Sequence, residues 1–106
     1  MAWLALLVAG VLEVVWAFYM KQSGGFTRLV PSLVTLICLA ASLALLSAAM
    51  RELPLGTAYA IWTGIGAAGA FLVGVLVLGE QANAMRITAA LLIVAGIVLM
   101  KLSPQA

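Results

Sequence analysis

The chain has 106 residues, of which 67% are hydrophobic and 8% charged, with a net charge of +2. Soluble domains carry charges on roughly a quarter of their residues, so an ordinary water-soluble fold is excluded: it would leave large apolar patches in water. The few cations are scattered, with no basic run and no aromatic–basic interleaving, which argues against a nucleic-acid partner.

The mean hydropathy of +1.30 instead points to a membrane. A spanning helix needs about 20 apolar residues at about 1.5 Å of rise each. Charges and turn residues divide the chain into four apolar segments. The first three meet that length, and the fourth, Ile87 to Met100, is marginal unless extended with Arg86 and Lys101 snorkelling. The predicted spans are residues 2–20, 30–50, 55–79 and 85–102. The fold class is therefore all-α, an integral membrane protein whose residues 1–106 make one four-helix transmembrane domain.

The first span carries one charged side chain, Glu13, about 15 Å from the predicted helix start and so near the bilayer centre. A carboxylate at that depth is expensive and marks a functional site, as a proton carrier, a cation ligand, or both in turn. Gly10, Glu13 and Trp16 follow at intervals of three and share a face. Trp3 lies near the helix start and reads as an interfacial anchor. A connection from Lys21 to Arg28, containing Gly24 and Gly25, leads to the second span.

The second span carries no charge. Ser42 lies about twelve residues in, at a depth close to that of Glu13, where its hydroxyl can donate to the carboxylate or bond back to its own helix. Cys38 is the single cysteine and histidine is absent. Neither a metal cluster nor an intrachain disulfide is expected, and Cys38 reads as a small buried hydrophobe. A turn around Pro54 follows.

In the third span Tyr59 and Trp62 share a face. With Glu13, Trp16 and Ser42 they supply one acid, two indoles, a phenol and a hydroxyl. That set suits a cation leaving water, and a planar guanidinium above all, since a carboxylate can receive two parallel N–H bonds while rings stack on its face. Small residues recur every fourth position, and Gly64, Gly66 and Gly69 serve close helix packing or a bend. Before the fourth span Asn83 is placed to cap the helix. Within it Ala89 and Gly96, seven apart, mark a smooth face for helix pairing.

Short connections make successive helices antiparallel and give a four-helix hairpin stack. Both termini then share a side with Arg51 and Lys101, against Lys21, Arg28 and Arg86 on the other. The amino terminus nearly cancels that bias, so the positive-inside rule gives almost no instruction. Insertion in both orientations would permit an antiparallel homodimer, with the inverted symmetry common in transporters.

The whole chain resembles the small multidrug resistance transporters, and most closely their guanidinium-exporter subfamily. The resemblance rests on the block from Gly10 through Glu13 to Trp16 followed by Lys21, on the run from Leu53 through Tyr59 and Trp62 to Gly66, and on Gly79-Glu80. It implies a multi-pass protein of the cell (inner) membrane, working as an antiparallel, dual-topology homodimer that exchanges a guanidinium-type cation for protons. Protons are the coupling ion, and no cofactor or metal is expected. Glu13 would bind both proton and substrate, one copy from each subunit. Gly10, Trp16, Ser42, Tyr59 and Trp62 would line the substrate site, while helix four, with Ala89 and Gly96, would hold the dimer. Leu39 and Leu43 are plain aliphatic residues near where substrate side groups would emerge, which leaves tolerance for substituted guanidines open.

Two rival readings stand beside this one. The protein could instead export bulky quaternary ammonium or lipophilic cations. It could also be a non-transporting membrane subunit of a larger complex. The tryptophans beside the acid and the lack of a docking loop weigh against the second. An enzyme is not expected, since no nucleophile–base pair is visible.

Overall fold

The computed structural model describes residues 1–103. Four helices account for most of them: α1 (Ala2–Gln22), α2 (Leu29–Ala49), α3 (Leu55–Leu76) and α4 (Ala84–Leu102). All four are long and apolar enough to cross a membrane. At about 1.5 Å per residue, the 21 residues of α1 span about 31 Å, matching a hydrocarbon core of about 30 Å.

Local chemistry sets the helix ends. Ser23, fully buried, closes α1: its hydroxyl donates to the Met20 carbonyl at 2.6 Å and accepts from the Phe26 N–H at 3.0 Å. Gly24, Gly25 and Phe26 then turn the chain through three successive left-handed conformations. Pro54 stands at the N-cap of α3, where its missing N–H costs no helical bond. Asn83 caps α4, its side chain accepting from the Arg86 N–H at 2.9 Å. The third helix stops at Leu76, short of residue 79, because Gly79 takes a φ of 70° and the Glu80 N–H donates back to the Gly74 carbonyl.

The helices do not close into a stack around one axis, as the short connections suggest. α1 packs against both α2 and α3, α3 packs against α4, and α2 and α3 barely meet. The order across the molecule is α2–α1–α3–α4, in a slab of 45 × 34 × 16 Å. Its thinnest dimension is less than two helix diameters. The core is correspondingly small and sits toward the end of the slab that holds Met1. It gathers Ala2, Leu6 and Ala9 of α1, Leu46 and Ala49 of α2, Leu53, and Ala58, Ile61 and Trp62 of α3. Beyond Gly10, the face of α1 from Leu12 to Tyr19 is only half-buried, and α4 has no buried residue.

Candidate functional site

Depth in the helices organises the site. Ala9 lies seven residues from the start of α1, Ser42 seven from the end of α2, and Trp62 seven from the start of α3. With α2 antiparallel to its neighbours, these three share one level, about 10 Å in from the end that holds Met1. They are joined there. The fully buried Ser42 hydroxyl donates to the Ala9 carbonyl at 2.7 Å, and the Trp62 indole N–H donates to Ser42 Oγ at 3.0 Å. Ser42 therefore bonds neither to Glu13 nor to its own helix. Counted from the shared end it lies one turn shallower than Glu13, which corrects the equal depth expected from sequence.

One turn deeper is the second level. Glu13 lies eleven residues from the start of α1 and Gly66 eleven from the start of α3. The two meet: a Cβ on Gly66 would collide with the Glu13 side chain, with Cγ 2.7 Å away and Cδ and Oε1 nearer still. Gly66 is thus the seat of the carboxylate on α3. Glu13 Oε1 and Trp16 Nε1 are buried, and among the described residues neither has a hydrogen-bond partner. An acceptor and a donor, three residues apart on α1, are left without protein partners near the middle of the membrane. Buried polar groups are nearly always paired, and an unpaired acceptor and donor side by side in a membrane-spanning helix call for a ligand that supplies the missing partners.

The remaining candidates fall around these two levels. Gly10 is buried beneath Ile65 of α3, whose Cβ would stand 2.7 Å from an added methyl. Gly69 receives Val14 of α1, so Gly66 and Gly69 both serve the α1–α3 contact. Gly64 faces the other way, toward Ile93 and Ile97 of α4. α3 itself runs as one uninterrupted helix through all three glycines. Tyr59 is 53% exposed; its ring lies 5.6 Å from that of Trp62, tilted by 43°. Tyr59 also lines a cavity of about 430 Å³ between α3 and α4, which includes Gly96 and does not include Glu13. A single chain therefore brings Glu13, Trp16, Ser42 and Trp62 to adjoining levels and leaves Tyr59 on its rim. Ala89 and Gly96 are exposed on α4, and space beside Gly96 is open. At the α1 start, Lys101 Nζ stands 5.5 Å over the Trp3 ring.

One participant and one pairing have no direct signal in the sequence. The Ala9 carbonyl, the acceptor for Ser42, has no side-chain signature; only the matched count of seven residues from each helix end could have found it. Gly66 was visible as a small residue, but its pairing with Glu13 needs the same count across two helices.

A family model described as Small Multidrug Resistance protein matches residues 1–94. Proteins named "Guanidinium exporter" from Citrobacter freundii and Salmonella typhimurium are each 57% identical to this chain over 103 residues, covering 97% of it and 98% of their own length. One of the same name from Escherichia coli O6:H1 is 55% identical over the same span. With four helices fit to cross a bilayer and an acid seated between the first and third, the chain belongs to the Small Multidrug Resistance family, as a multi-pass protein of the cell's inner membrane.

Proposed function

We propose that this protein is a proton-coupled antiporter that exports guanidinium and small substituted guanidines, and is a transporter rather than an enzyme. The observation that carries the reading is a buried Glu13 oxygen and a buried Trp16 indole N–H on one membrane-spanning helix, neither with a hydrogen-bond partner among the described residues. The relatives named as guanidinium exporters, at 57% identity over nearly the whole chain, support the choice of substrate class.

Charge arithmetic gives the mechanism. A carboxylate in lipid must be neutralised, either by a proton or by a cation. A guanidinium offers a planar fork of N–H donors that matches a carboxylate, and its face stacks on aromatic rings such as Trp16 and Trp62. The protomer is too thin a slab to enclose a cation, so two copies work together, inserted in opposite orientations, each contributing one Glu13 and an exposed α4 to the pairing. Protons and guanidinium then compete for the same pair of acids, and simultaneous occupancy is disfavoured. Protons entering from one side displace the cation to the other.

The test is flux through purified protein in vesicles, with guanidinium, a substituted guanidine and a quaternary ammonium compared side by side. Guanidinium moving against its gradient under an imposed pH gradient is the expected result. Preferential movement of the quaternary ammonium would make the protein a broad cation exporter, and absence of any flux would make it a non-transporting subunit.

A further inference from the structure

Glu80 follows the third span and has no part in the site above, yet its side chain is placed. Gly74 of α3 is buried, and a Cβ there would run into the Glu80 carboxylate, with Cδ 2.9 Å away. The Glu80 N–H also donates to the Gly74 carbonyl at 2.9 Å. The acid is therefore folded back onto the end of α3 rather than carried away by the loop. There it lines a cavity of about 210 Å³ between α1 and α3, together with Phe18 and Lys21. The inner end of that cavity is walled by Val14, the residue after Glu13. On its outer side Glu80 borders a second cavity of about 430 Å³, shared with Lys21 and Arg28. One acid thus stands where a cationic vestibule meets a groove that runs along α1 toward Glu13.

We propose that Glu80 is an outer docking residue for the guanidinium-class cation, the first carboxylate it meets between water and Glu13; this rests on the export reading given above. Lys21 and Arg28 alone would set two positive charges around the vestibule and repel a cation. Glu80 lowers that local charge to one and supplies an acceptor for N–H donors. Phe18 adds an aromatic wall of the kind that favours cations. Lys21 lines both cavities beside Glu80, so its positive charge opposes the arriving guanidinium. Contacts of this sort act on the arrival of a charged substrate more than on the step that follows, and they weaken as salt screens them.

The test is initial-rate guanidinium uptake, driven by a pH gradient, in vesicles containing wild type, Glu80→Gln or Lys21→Gln, at low and high ionic strength. Glu80→Gln should raise KM about threefold or more at low salt with kcat little changed, and the difference should shrink at about 0.5 M salt. Lys21→Gln should shift KM in the opposite direction. An unchanged KM for Glu80→Gln at low salt, or a fall in kcat alone as loss of a helix-end contact would give, overturns the docking role. A wild-type protein that moves no guanidinium overturns the export reading itself, which separates the two failures.

Discussion

Glu13 carries the account at the scale of single residues. Its Oε1 is buried and has no hydrogen-bond partner among the described residues, so under the proposed antiport whatever neutralises it decides which species crosses. Glu13→Gln keeps the shape and removes the titration. It should abolish pH-driven guanidinium movement in vesicles, while retained coupled flux would remove Glu13 from the role. Ser42 plays a different part from the one its sequence position suggests. It bridges the Ala9 carbonyl and the Trp62 indole, so Ser42→Ala leaves a buried N–H and a carbonyl each short of a bond. Stranding one buried partner costs about 1–3 kcal/mol, so thermal stability should fall along with guanidinium affinity. Unchanged affinity with lowered stability would make Ser42 a structural bridge only. Trp16→Ala should weaken guanidinium binding as well, and binding equal to wild type would return Trp16 to packing.

Helices explain why these side chains meet. α1 and α3 leave the same end of the slab and run parallel, so residues at equal counts from their starts are level: Ala9 with Trp62, and Glu13 with Gly66. A methyl at position 66 would occupy the place of the Glu13 side chain. Gly66→Ala should therefore yield a helical protein that inserts but transports poorly, measured as flux beside circular dichroism. A methyl at Gly64 meets Ile97 of α4 instead, and Gly64→Ala should spare guanidinium binding more than Gly66→Ala does. Equal effects from both would mean that helix packing in general, rather than the seat of the acid, is being disturbed. Much of this was legible in the sequence. A lone charge in an apolar run locates Glu13, apolar length locates the helices, and Asn83 announces the start of α4. The partners of Ser42 were not legible, because a backbone acceptor such as Ala9 has no sequence signal and depth in an antiparallel helix depends on where its far end falls. The early end of α3 was hidden for a related reason: Val77 and Leu78 are as apolar as the helix before them, and only the left-handed turn at Gly79 ends it.

The whole molecule is an open layer rather than a bundle, 16 Å through its thinnest direction. Membrane helices lack a hydrophobic drive toward one another and rely on packing and small residues, so α4, with no buried residue and a smooth face at Ala89 and Gly96, is the surface we propose for a second copy. The purified protein should accordingly have twice the mass of the 11.0 kDa chain once bound detergent is subtracted. A monomer active in vesicles would contradict the paired arrangement. The central claim is that one pair of acids holds either protons or guanidinium, and never both. The most direct measurement of it is guanidinium affinity in purified protein from alkaline to acidic pH. Protons occupy the carboxylates as pH falls and must be displaced, so affinity should fall progressively toward acid in the wild type, and Glu13→Gln should show no such dependence. Guanidinium affinity in the wild type that stays constant across that range would contradict the claim.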